Sequence, residues 1–271
     1  MTALATTVPD ATSRLRRTVA PALPLSRIVR VELRKMFDTR SGFWLMASIV
    51  LLSVAATGAA IVFAPDEDLT YSTFGSMIGF PIAIVLPIIA ALSVTSEWSQ
   101  RSGLTTFTLV PNRSRVILAK GIAAVGIGVV SIGVAFAVGA LGNLVGTTIN
   151  GTPLVWDVSA VEVLLVVLGN VLGLLLGFML GLLIRNSPGA IVAYFVLSFV
   201  LTGLTELLAT SQAWFRDARG WLDFNFAQGP LFSFEDGLTG TEWAHLGITA
   251  ASWIALPLLV ALVLVRRSEV K

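Results

Sequence analysis

The sequence predicts an all-α polytopic membrane protein with six transmembrane helices and both termini in the cytoplasm, and three observations carry that expectation. Apolar stretches recur six times, at residues 42–63, 74–94, 121–145, 161–184, 188–208 and 245–265. Each runs to about 20 residues or more, enough at about 1.5 Å per residue to cross a hydrocarbon core of about 30 Å. Charged residues make up 13% of the chain and the mean hydropathy is +0.86, whereas charge is about a quarter of an ordinary soluble domain. Sixteen of the eighteen Lys and Arg residues lie before span 1, in loops 2 and 4, or after span 6. Basic segments stay in the cytoplasm, so loops 1, 3 and 5 are expected outside, in a multi-pass protein of the inner or plasma membrane.

Composition narrows the function. The spans take about half of the chain and no connection much exceeds about 40 residues, so a single membrane domain is expected, without a separate catalytic module. The cytoplasmic arginines suit an anionic lipid leaflet and argue against nucleic acid as a partner. Without cysteine there is no disulfide, thiolate chemistry or Cys-based metal site. Arg14, Arg16 and Arg17 are followed by Pro21 and Pro24 rather than a compact apolar core, so no cleavable signal is expected.

Residues 1–24, rich in Thr, Ala and Pro, are expected to be a flexible cytoplasmic tail. From Leu25 to Arg40 the pattern turns amphipathic. Leu25, Ile28, Val29, Leu33, Met36 and Phe37 share one arc opposite Arg27, Arg30, Arg34 and Asp38, with Glu32 intruding on the apolar side. Such a segment fits a helix lying in the cytoplasmic interface; a disordered linker is the alternative. Span 2 carries Pro81 and Pro87, which predict kinks wherever neighbours can satisfy the freed carbonyls. Span 4 places Gly169, Gly173, Gly177 and Gly181 four residues apart. They form a smooth ridge for helix packing, against a second copy or against another span of this chain. A tight turn at Arg185–Asn186–Ser187 joins spans 4 and 5, with Ser187 able to cap and Pro188 suited to the first turn.

The external fifth loop, residues 209–244, holds Trp214, Phe215, Trp221, Phe224, Phe226, Phe232, Phe234 and Trp243. Rings in that number favour the membrane–water boundary. Short helices dipping into the outer leaflet, or a cap burying its own aromatics, both fit.

Chemistry is sparse. His245 is the only histidine and cannot complete a metal set alone. No phosphate loop of the Gly-x-x-x-x-Gly-Lys-Ser/Thr type occurs, so the chain is not expected to bind ATP itself or to be an enzyme. Glu162 and Glu206 are the acids nearest a span interior, and both fall near outer helix ends. Tyr194, Ser198, Thr202, Thr205 and Glu206 recur at helical spacing on span 5. That stripe is a candidate wall of a translocation path, though helix–helix hydrogen bonding would also explain it.

The second loop is the most specific segment, reading TSEWSQRSGLTTFTLVPNRSRVILAKG from Thr95 to Gly121. It resembles the permease subunits of ABC-2 type ATP-binding-cassette transporters, in which an acid after span 2 precedes Gly, a Leu-rich helix, Pro, Arg and a Lys opening span 3. The matching positions are Glu97, Gly103, Leu104–Val110, Pro111, Arg115 and Lys120, and the opening VELRKMFDTRSGFW resembles that family's start. The six-span order with a long fifth loop extends the resemblance over nearly the whole chain. It departs at Arg101 and Ser102, where the family often has a further acid or glycine.

The resemblance implies a permease that pairs with a second permease chain, itself or a related one, and binds two cytoplasmic ATPase subunits holding ATP and Mg. It makes residues 25–40 an elbow helix and 104–110 a coupling helix, with Leu104, Phe107 and Leu109 in the buried contact and Glu97, Arg101 and Arg115 orienting it. The fifth loop becomes a pair of re-entrant external helices. Export of an amphipathic or hydrophobic compound such as a lipid, peptide or drug-like molecule is the implied activity. An ion-coupled carrier, which needs a mid-membrane ion site, and an intramembrane enzyme, which needs several polar groups, are the other classes.

Overall fold

The computed structural model describes residues 23–38, 40–99, 113–234 and 237–267. Among them the secondary structure is helical throughout, and six helices are long and apolar enough to cross a membrane. The fold is that of a multi-pass membrane protein. In chain order, α1 (Leu25–Asp38) precedes the spans α2 (Arg40–Phe63), α3 (Tyr71–Ser99), α4 (Arg113–Asn150) and α5 (Ala160–Ile184). Span 5 is α6 (Ser187–Ser211), whose middle is a π turn at Val196–Val200. Two short helices follow, α7 (Ala213–Leu222) and α8 (Phe224–Gln228), then a 3₁₀ turn at Gly229–Phe232. Span 6 is α9, running from Gly240–Ala250 through a π turn at Ala251–Ala255 to Leu256–Arg267.

Helix α4 outruns its apolar stretch at both ends. Its 38 residues make a rod of about 57 Å, nearly twice the hydrocarbon thickness. Hydropathy marks only the residues that suit lipid, whereas the backbone ladder continues until something breaks it, here Gly151 with φ +67°.

Helix α5 stands between two cores. Leu174, Phe178 and Leu182 pack with Ile78, Ile82, Leu86 and Val94 of α3 and with Ile132 of α4. Leu176, Met179 and Leu180 face the other way, against Tyr194, Phe224, Leu231, Leu246 and Ile254. The second core joins the last two spans to the short helices between them. Phe224 is buried there and Phe215 is buried as well, while Trp214, Trp221, Phe226 and Trp243 stay exposed, so the aromatic loop buries some rings and presents the rest.

The turn between α5 and α6 is capped differently from the expectation. Asn186, not Ser187, is the cap, with its Oδ1 accepting from the Gly189 N–H at 2.8 Å. The Ser187 hydroxyl instead shares a 2.7 Å hydrogen bond with Thr95 of α3. Asn is as good a cap as Ser, and taking it frees the hydroxyl to tie two helices together.

Helix α1 explains the acid on its apolar side. Glu32 is 4% exposed and accepts from Lys120 Nζ of α4 at 2.5 Å and from Lys35 Nζ at 2.8 Å. Burial alone would raise the Glu32 carboxyl; the two ammonium groups outweigh it and hold it below the ordinary range. Lys120 also donates to the Ser93 carbonyl at 3.2 Å, so one cation fastens α1, α3 and α4.

Candidate functional site

The site grows from Pro87. A proline has no N–H, which leaves the carbonyl four residues earlier without its helical donor. That carbonyl belongs to Ala83, and Tyr194 of α6 donates its hydroxyl to it at 2.8 Å. The glycine ridge of α5 closes on the same place. A Cβ at Gly177 would land on the backbone of Pro87, one at Gly181 would stand 2.8 Å from the Ala91 carbonyl oxygen, and one at Gly169 would strike the Phe232 ring. At Gly173 the nearest atom would be Pro87 Cγ, at an ordinary 3.7 Å. The ridge therefore packs against span 2 and the 3₁₀ turn of this same chain.

Beside this joint lies a cavity of about 150 Å³, bordered by α3, α5, α6, α8 and the 3₁₀ turn. Its polar wall is Asn170, Tyr194, Ser198, Asn225 and Gln228; its apolar wall includes Phe80, Leu176, Phe199 and Phe232. No charged side chain lines it among the described residues. Asn170 is buried, its Nδ2 donating to the Val166 carbonyl at 2.9 Å. Asn170 Oδ1 and Gln228 Oε1 are both buried without a hydrogen-bond partner. Asn170 also borders a smaller cavity of about 20 Å³ between α3, α4 and α5.

The polar stripe of span 5 is brought only partly to this cavity. Tyr194 and Ser198 line it, whereas Thr205 donates to Asp223 Oδ2 at 2.6 Å and Glu206 accepts from Arg219 at 2.6 Å. Thr202 turns back on its own helix, donating to the Ser198 carbonyl. Helical spacing puts the stripe on one face only if the α-helix is unbroken. An i→i+5 turn adds about one residue to one turn, which rotates everything beyond Val200 by roughly 100°. The π turn is itself tied down, since Asn225 Nδ2 donates to the Leu197 carbonyl within it at 2.9 Å.

Thr205 and Glu206 thus belong to a second polar group at the far end of α6. Arg219, 6% exposed, bonds Glu206 and Asp223 and lies 4.4 Å over the Phe226 ring. Asp223 also caps α8 through the N–H groups of Asn225 and Phe226. The cluster anchors the short helices to span 5. His245 is part of the same anchorage: it stands edge-on to Trp221 at 4.3 Å and above Gly220, where a Cβ would collide with its ring. Glu162, the other acid near a span interior, completes a capping box with Ser159 at the start of α5.

Most of the second loop lies outside the described residues, Arg101, Gly103, Leu104, Phe107, Leu109 and Pro111 among it, as does the side chain of Glu97 in the last turn of α3. Arg115 is half-buried on α4, and Lys120 is buried against Glu32. No group of three or more metal-ligating residues occurs among the described residues.

Asn170, Asn225 and Gln228 are not among the residues that the sequence pattern singles out. Asn170 had a readable signal, an amide in the middle of a 25-residue apolar helix, where an unpaired polar group is costly. Asn225 and Gln228 had none, because their role comes from the path of the loop. No protein-family model matches the sequence, and no curated protein matches it.

Proposed function

We propose that this chain is the transmembrane permease subunit of an ATP-driven ABC-2 type transporter, exporting an amphipathic or hydrophobic compound. The observation that carries the reading is the Lys120 fastening. Loop 2 leaves α3 and enters α4, and Lys120 joins those two helices to α1 through Ser93 and Glu32. A partner pressing on loop 2 from the cytoplasm would therefore meet one braced unit rather than a loose connection. Without a phosphate loop in the sequence, the energy has to come from separate ATPase subunits, two per transporter, that bind ATP and Mg. Leu104, Phe107 and Leu109 are the apolar contact that such a subunit would bury, and a single aromatic anchor concentrates the binding energy of a short helix. The exposed outer face of α6 offers the surface for a second permease chain.

The test is co-purification. Phe107→Ala should lose the ATPase or uncouple its hydrolysis while expression and thermal midpoint stay near those of the unmutated protein, and Thr152→Ala in loop 3 should do neither. Full ATPase binding and substrate-stimulated hydrolysis by Phe107→Ala would remove the loop from the mechanism. A chain with which no ATPase co-purifies would end the transporter reading.

A further inference from the structure

We infer that the groove between α1 and spans 1 and 3 seats an acyl chain of an anionic phospholipid, with the lipid phosphate held by the arginines of α1. The site does not rest on the permease reading.

The rows of α1 divide its surface three ways. Ile28 and Glu32 are buried, and Glu32 ties the helix to Lys120 of α4. One residue on, and so about 100° round the helix, Val29, Leu33 and Phe37 border a groove of about 510 Å³. One residue further, Arg30 and Arg34 stand exposed, with Arg27 on the same side. The cationic row therefore adjoins the row that borders the groove.

The groove has the depth of one leaflet. Its floor on α4 is the row Ile122, Gly126, Val130 and Val134, four residues apart and so on one face. Lys120 fastens α1 just before Ile122, which puts α1 at that end. From Ile122 to Val134 is about 18 Å, against about 15 Å for half of a hydrocarbon core of about 30 Å. Met46 and Val50 of α2 also border it, and among the described residues Ser131 is the only polar side chain of its lining. Val50, Ile122 and Val130 are all well exposed, so the groove is open along its side. A Cβ at Gly126 would meet nothing within 4 Å, which leaves the floor clear.

Chemistry selects the occupant. Water finds almost no hydrogen-bond partner on such walls, and a wholly apolar molecule would leave the arginines unused. A molecule that is apolar over one leaflet and anionic at its end matches both parts. Its chain would lie along α4, and its phosphate would meet guanidinium groups, which can bond it through two N–H groups at once. Basic clusters on a helix beside a span attract anionic lipid in the same way.

The full chain, purified and held in nanodiscs of dioleoylphosphatidylcholine, can be labelled with a trace of phosphatidylglycerol carrying a photoreactive diazirine in one acyl chain, or with its phosphatidylcholine twin. Crosslinks mapped by peptide mass spectrometry should fall within residues 46–50 and 122–134. The phosphatidylglycerol probe should label them about 25-fold more strongly, about fivefold for each of two arginines. Arg30→Gln combined with Arg34→Gln should bring the two probes close to parity. Gly126→Phe, whose ring has open space to enter, should abolish labelling by both without loss of folded yield. Absence of crosslinks in the groove, as when another segment of this chain or a protein partner covers it, would overturn the proposal. So would equal labelling by the two head groups, which is the behaviour of ordinary boundary lipid. A preference that survives in the arginine pair, or labelling that survives Gly126→Phe, would do the same. Should Gly126→Phe fail to fold, the arginine pair decides alone. No ATPase enters the assay, so its failure and the failure of the permease reading are separately visible.

Discussion

Spans 4 and 5 are consecutive in sequence, similar in length and hydropathy, and joined by the two residues Arg185 and Asn186, yet they have opposite fates. Half of the most apolar window of span 4 is buried within the chain, against 6% of that of span 5. Span 4 is small where it must be thin: its glycines let the backbone of span 2 close on it, and its leucines then fill both cores. Span 5 keeps Val192, Phe195, Val196, Phe199, Val200, Leu204 and Leu207 exposed, and buries only a narrow side that includes Ala190 and Tyr194. In a bilayer, apolarity does not tell inside from outside, because lipid is as apolar as a core. Small residues mark the buried helix, and bulky ones the helix left to lipid or to a partner.

The contrast breaks most sharply at the ridge. Gly177→Ala puts a methyl on the Pro87 backbone, which cannot swing aside as a side chain can, so a loss of about 1–3 kcal/mol or more is expected. Gly173→Ala, one turn away, meets only an ordinary contact and should leave the midpoint nearly unchanged. The pair can be read from thermal unfolding in detergent, and equal midpoints would refute the close approach. Next in size is Tyr194→Phe, which leaves the Ala83 carbonyl unpaired beside Pro87; about 1–3 kcal/mol should be lost by the same measurement. Smallest are Leu204→Ala and Leu207→Ala on the outer face of span 5, expected within about 0.5 kcal/mol of the unmutated chain. If they lower self-association, followed by single-molecule fluorescence in liposomes, that face holds a second copy of this chain. If they lower the stability of the isolated chain instead, span 5 is more deeply packed than its exposure indicates.

The architecture was legible because length and apolarity are local properties: the six stretches all became helices, and α1 formed over 25–38 as its amphipathic pattern required. What was not legible depends on long-range placement. Glu32 read as a flaw in an apolar arc until Lys120, 88 residues away, supplied its partner. The stripe from Tyr194 to Glu206 assumed one helical phase, and a π turn, which leaves no mark in composition, split it between a cavity and an anchor. Ser187 and Asn186 are both competent caps, and only the nearness of Thr95 decides between them.

The Lys120 fastening has a counterpart at the other end of the same two helices. There Asn143 donates to the Val155 carbonyl at 2.8 Å, the Tyr71 N–H reaches that same oxygen, and Ser72 bonds both carboxylate oxygens of Asp157. Those bonds outweigh the effect of partial burial and hold the Asp157 carboxyl below its ordinary range. Mechanically, α3 and α4 are two struts with a crosspiece at each end. Such a frame resists shear: sliding one strut past the other would break both crosspieces together. It can still rock, and a tilt of about 5° about Lys120 swings Asn143, about 35 Å along the rod, through about 3 Å. Motion entering at one end of this pair would arrive at the other as an angle rather than as a piston stroke.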